Sequence, residues 1–195
     1  MPAMPSAASD ISILFKQGLA HQHLGQLEQA RQCYAQVLQR NARHFDALYL
    51  MSTTPTQQGQ LEQALGWLEQ AAQVQADHAI LQNNLGNILL ALGRLEQAVA
   101  AFDRAVALKP DYAAAFHRRG VTKKGLGRLE EALNDHARAL ALLPTLEPAA
   151  QAHAALQAQL GLGRTQAVAP AASSSRTNVV MASLNVAITI MSLGA

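Results

Sequence analysis

The sequence is poor in the residues that most often carry crosslinks or chemistry. It has one cysteine, Cys33, which excludes an intramolecular disulfide framework and a cysteine-based zinc site. Aromatic residues make up only 4% of the chain. Any core must therefore be filled mainly by Ala, Leu and Val, of which Ala and Leu are strong helix formers. Charge of either sign is scarce: 15 basic residues stand against 13 acidic ones, a net charge of +2. That balance lacks the basic excess that general nucleic-acid binding requires. The most apolar stretch, Val179 to Leu193, is interrupted by Ser183, Asn185 and Thr189 and falls short of the ~20 residues that span a bilayer. The Pro/Ala/Ser run over residues 1–10 has neither the basic start nor the apolar stretch of a secretory signal, and reads as a flexible N-terminus. A soluble, cytoplasmic protein with no membrane span is expected.

The residues of enzyme sites are missing in pattern as well as in number. There is no glycine-rich phosphate loop and no nucleophile elbow, and no pair of groups is set for acid–base work. Seven histidines are present, but His21 and His23 are two apart and would point to different sides of a helix. His44 and His78 share one repeat position and so fall in successive loops. No histidine pair has the i, i+4 spacing with a carboxylate between that a zinc-binding helix needs. No catalytic residue, metal site or cofactor is expected, and Cys33 reads as a small core residue.

What is present is hydrophobic material, 50% of the residues, enough to exclude wholesale disorder, and a repeat. The pattern Gly-x-Leu-Glu-x-Ala begins at Gly25, Gly59, Gly93 and Gly127, in three equal steps. These glycines fall between two helical segments, where a tight turn needs a residue tolerant of positive φ. Gly18, Gly86 and Gly120 lie inside the first helix of their repeats at a propensity cost of ~1 kcal/mol each. Close approach of the partner helix's backbone is the expected compensation. Ala30, Ala64, Ala98 and Ala132 hold the second helix equally close. Glu28, Glu62, Glu96 and Glu130 open the second helices, where a carboxylate favours the helix dipole. Pro110 and Pro144 end the second helices of the last two copies.

In period and signature the chain resembles the tetratricopeptide repeat family. The third copy carries Leu85-Gly86, Ala98, Phe102, Ala105 and Pro110 at that family's positions. The fourth carries Phe116, Gly120, Ala132, Ala139 and Pro144, the first Leu14, Gly18, Ala30 and Tyr34, and the second Leu48, Ala64, Leu68 and Ala71. The repeats run over 11–44, 45–78, 79–112 and 113–146. The resemblance implies an all-α fold, a right-handed superhelical solenoid of helix–turn–helix hairpins, whose stacking buries a continuous core. It also implies that the first helices line a concave groove.

Two regions depart from the pattern. In the second copy Pro55 lies within the first helix and Met51-Ser52 replaces Leu-Gly, so a kink or a broken last turn is expected there. After the fourth copy, residues 147–164 start a fifth repeat or form a capping helix, with Gly161-Leu-Gly-Arg164 echoing Gly125-Leu-Gly-Arg128. Residues 165–178 read as an Ala/Ser/Pro linker. The apolar tail 179–195 reads as a docked cap, a loose segment or the product of a truncated or altered frame.

The groove positions that the resemblance implies hold Phe15 and Lys16 in the first repeat and Tyr49 in the second. The third supplies Asn83, Asn84 and Asn87, and the fourth His117, Arg118, Val121 and Lys124. The groove thus passes from apolar through amide-rich to basic. Amides both donate and accept, and suit an extended peptide backbone. Arg118 and Lys124, with Arg119, Lys123 and Arg128 nearby, suit a carboxylate.

The carboxylate clamp of chaperone-binding members is incomplete. Asn84 and Arg118 match it, but Tyr49 and Thr53 stand where Lys and Asn are wanted, and Ala114 replaces a Lys. The run Asn83-Asn84-Leu85-Gly86-Asn87 resembles repeats of bacterial relatives of protein O-GlcNAc transferase, although no glycosyltransferase domain is expected in residues 147–195. The expected function is a non-enzymatic scaffold or adaptor that binds a segment of another protein in the groove. The alternatives are the substrate-recruiting portion of a truncated or split glycosyltransferase and, more weakly supported, a secretion-type chaperone.

Overall fold

The computed structural model describes residues 7–162. Among these the chain is all-helical, with ten helices: α1 (Ala7–His23), α2 (Leu27–Arg40), α3 (Phe45–Met51), α4 (Thr53–Gln57), α5 (Leu61–Val74), α6 (Ala79–Ala91), α7 (Leu95–Leu108), α8 (Ala113–Gly125), α9 (Leu129–Leu142) and α10 (Glu147–Gln159). Helices α1 and α2, α6 and α7, and α8 and α9 pack as hairpins, and in the second hairpin α3 and α4 together oppose α5. Each second helix also packs on the first helix of the next hairpin, so the core is continuous along the array.

The turn glycines act as their position requires. Gly25, Gly59, Gly93 and Gly127 adopt φ between 73° and 76° with open space around them. Conformation, not crowding, therefore demands glycine there. The glycines inside the first helices answer a different need. A Cβ at Gly18, Gly86 or Gly120 would lie within 2.5–2.8 Å of the ring of Tyr34, Phe102 or His136. The close approach is thus to a ring on the second helix rather than to its backbone.

The first repeats share an apolar core. Ala30, Tyr34, Val37, Ala47 and Met51 form one cluster, and Leu48, Leu65, Leu68, Leu81, Leu85 and Phe102 belong to the next. Trp67 and Leu38 pack against both. Two of the repeat-end histidines have structural roles. His44 Nδ1 accepts the Ala47 N–H at 3.2 Å and His78 Nδ1 accepts the Leu81 N–H at 3.1 Å, capping α3 and α6. Their rings also rest on Phe15 and Phe45, with centroids 4.9 Å and 5.0 Å apart.

The expected flexible N-terminus extends too far: α1 begins at Ala7. Ala7 and Ala8 are strong helix formers, and Asp10 sits in the first turn where a carboxylate favours the dipole. The second repeat's first helix is broken as Pro55 implies, but the break falls at Ser52, between α3 and α4. Without an N–H, Pro55 cannot bond the Met51 carbonyl, and its ring clashes with that turn. Downstream, α10 packs on α9 and α8, buries Ala149 and Leu156, and starts with Pro148 in its first turn. Gly161 follows with φ 71°, the geometry of the earlier turn glycines. The linker 165–178, the tail 179–195, Arg164 and residues 1–6 lie outside the described residues. No described helix is long and apolar enough to cross a membrane.

Candidate functional site: the groove of the first helices

Each named groove residue lies on a first helix. Phe15 and Lys16 are on α1, Tyr49 on α3, Asn83, Asn84 and Asn87 on α6, and His117, Arg118, Val121 and Lys124 on α8. They are not equally available. Lys16, Arg118 and Lys124 are exposed, while Phe15, Tyr49, Asn84, Asn87, His117 and Val121 are half-buried. Asn83 is only 6% exposed and lies beneath the surface, where its Nδ2 donates to Asn84 Oδ1 at 3.4 Å.

The junction of repeats two and three gathers a polar set around one pocket. Asn84 Nδ2 donates to the Tyr49 hydroxyl at 2.7 Å, joining α6 to α3. Burial, followed by the neighbouring Tyr112, raises the Tyr49 pKa, so this phenol keeps its proton at neutral pH. Beside the pair is a pocket of about 270 Å³ lined by Tyr49, Ser52, Thr53, Thr56, Gln57, Leu68, Asn84, Asn87 and Ile88. No charged residue lines it. Ser52, Thr56 and Gln57 were not singled out in the sequence. The constant repeat step would have carried the groove register to Thr56 and Gln57. Ser52 enters because the helix breaks there.

At the other end, the cations of α8 divide into two groups. Arg119 bonds Asp103 on α7 and Asp135 on α9, and Lys123 lies 3.0 Å from Asp135 and 3.4 Å from Glu131. Arg119 and Lys123 are therefore committed internally and do not join a carboxylate site. Arg118 and Lys124 remain exposed and make no ion pair among the described residues. His117 turns to the interior, its Nδ1 3.3 Å from Nδ1 of the fully buried His136. Among the described residues, no group of three His, Cys, Asp or Glu side chains is arranged to hold a metal. The structure brings together Tyr49, Asn84 and Asn87 around one pocket. Phe15, Lys16 and the residues of α8 do not line it.

Comparison with known proteins agrees with this architecture. A family described as TPR repeat matches residues 86–127, and one described as Tetratricopeptide repeat matches residues 13–43. No curated protein matches in sequence. Among solved structures, MamA protein is similar with a TM-score of 0.74 at 21% identity, over 80% of this chain and 85% of that one. YrrB, described as a TPR protein with an unusual peptide-binding site, gives 0.71 at 20% identity, over 83% and 87%. The first TPR of Spaghetti (RPAP3), bound to the HSP90 peptide SRMEEVD, gives 0.59 at 25% identity, over 60% and 93%. The chain carries tetratricopeptide repeats, and its fold is the all-α, right-handed superhelical solenoid of that architecture.

Proposed function

We propose that this chain is a protein–protein interaction scaffold that holds an extended segment of a partner protein along the groove of α1, α3–α4, α6 and α8. The carrying observation is the pocket at Tyr49, Asn84 and Asn87, a concave polar site on the groove face whose hydrogen-bonding capacity is not used up internally. Arg118 and Lys124 add exposed positive charge further along the same row of helices. The peptide-binding descriptions of the RPAP3 repeat and of YrrB support peptide binding by this architecture. The acidic peptide held by the RPAP3 repeat does not carry over, because Tyr49, Thr53 and Ala114 stand where a carboxylate clamp needs Lys, Asn and Lys. The recruiting-module reading rests on the run from Asn83 to Asn87 alone.

The test is affinity capture from native cell extract at low and moderate salt. The wild type is compared with an Asn84→Ala/Arg118→Glu/Lys124→Glu variant of matched melting temperature. A partner held by the wild type and lost by the variant supports the groove. A partner held equally by both places the interface elsewhere and sinks the reading.

A further inference from the structure

The helix break at Ser52 commits hydroxyl protons in a way that selects a ligand. Ser52 Oγ donates to the Tyr49 carbonyl, Thr53 Oγ1 to the Leu50 carbonyl and Thr56 Oγ1 to the Ser52 carbonyl, each at 2.7 Å. These bonds serve backbone carbonyls around the broken helix. They also fix the three hydroxyls as acceptors only: each proton points into the helix, and the lone pairs remain. Asn87, on the opposite wall, has its Oδ1 buried without a partner. Turning that amide toward a seated N–H satisfies the oxygen and breaks no recorded bond. Tyr49 supplies the complementary function. Its oxygen already accepts from Asn84 Nδ2, so its proton is free to donate.

A neutral pocket whose hydroxyls only accept, whose phenol donates and whose Asn87 and Gln57 amides can do either discriminates among side-chain termini. A carboxylate meets hydroxyl lone pairs and no cation. An ammonium loses hydration with no negative charge to replace it. An apolar side chain leaves the polar wall unsatisfied. A primary carboxamide fits: its two N–H groups match the threonine oxygens and Asn87, and its carbonyl oxygen accepts from Tyr49. We infer that this pocket is a subsite for the side-chain carboxamide of a glutamine or asparagine in the bound segment. The inference deepens the groove reading and rests on it for its biological meaning. Binding of an isolated carboxamide, however, can be measured without any partner protein.

The experiment is a titration of the isotopically labelled full chain, followed by backbone amide NMR. The probes are N-acetylglutamine methylamide, the matching glutamate derivative and the matching norleucine derivative. The expected result is that the glutamine probe shifts the amides of Tyr49, Thr53 and Asn87, with the other two roughly tenfold weaker. Thr53→Ser/Thr56→Ser should keep the response, because the acceptor oxygens stay, and Thr53→Val/Thr56→Val should lose it. If the valine variant fails to fold, Asn87→Leu replaces it and should weaken the glutamine response alone. Equal shifts from all three probes, or none from the glutamine probe at saturating solubility, overturn the subsite. Neither outcome decides the groove reading, which is tested by the capture experiment with the Asn84, Arg118 and Lys124 variant.

Discussion

Gly86 lies against the ring of Phe102: a Cβ at Gly86 would stand 2.6 Å from Phe102 Cε1. Phe102 is fully buried in the cluster of repeats two and three, so the ring has nowhere to swing. Gly86→Ala should therefore lower stability by about 1–3 kcal/mol through overpacking, although alanine is the better helix former by ~1 kcal/mol. Denaturant unfolding would measure it. Phe102→Leu should reduce the penalty of Gly86→Ala in a double-mutant cycle, because repeat two holds Ser52 and Leu68 at the corresponding positions. A Gly86→Ala protein as stable as wild type would refute the packing account.

The same position in the fourth repeat is occupied by His136, beneath Gly120, with no exposed surface. Burial first, then repulsion from His117, lowers its pKa from about 6.5 to about 4, while Asp135 pulls the other way and His153 and Lys124 add to the lowering. The unfolded chain thus binds this proton first as pH falls. The stability contribution is intact above pH 6.5, declines as pH falls below that, and is gone near pH 4. The loss amounts to about 3 kcal/mol. Unfolding free energies from pH 7 to pH 4 should fall less steeply for His136→Phe than for wild type. Parallel curves would refute the assignment.

Sequence and structure part company in ways that these two rings explain. The constant step between copies made the hairpins and the turn glycines legible. The same step carries Phe102 to His136, so the buried histidine was legible too, once the ring under each interior glycine was recognised as the reason for that glycine. Pro55 signalled a broken helix, but the site of the break depends on which carbonyl loses its donor and on how Ser52, Thr53 and Thr56 bond around it. The pocket joins that segment to Tyr49, Leu68 and residues of α6 and has no motif. The commitment of Arg119 and Lys123 was hidden for a similar reason: their partners lie on α7 and α9, which only the stacking of hairpins brings to α8.

His78 ties a side chain to the start of a helix and to an aromatic neighbour at once. Its Nδ1 accepts the Leu81 N–H at 3.1 Å, and its ring lies 5.0 Å from that of Phe45. Removing both contacts with His78→Ala should cost about 1–2 kcal/mol. His78→Asn keeps a capping acceptor without the ring and should recover roughly half of that loss. Thermal unfolding of the three proteins decides it, and an alanine variant that melts with wild type would remove the capping role.

Asp135 is 4% exposed and accepts from Arg119 while lying 3.0 Å from Lys123 Nζ. It is the shared partner of two cations that are themselves mostly buried, with side chains 14% and 11% exposed. Asp135→Ala leaves Arg119 with Asp103 alone and Lys123 with Glu131 alone, two carboxylates more than half exposed. Losing the inner partner of a buried ion set costs about 3–5 kcal/mol, whereas Glu131→Ala at the exposed end should cost below ~1 kcal/mol. The large term comes from stranding charge rather than from the attraction itself. Replacing the inner set together, Asp135→Leu with Arg119→Met and Lys123→Met, should therefore recover most of the stability. Chemical denaturation of the four proteins tests this. A triple variant no more stable than Asp135→Ala would show instead that the ion set itself holds α7, α8 and α9 in register.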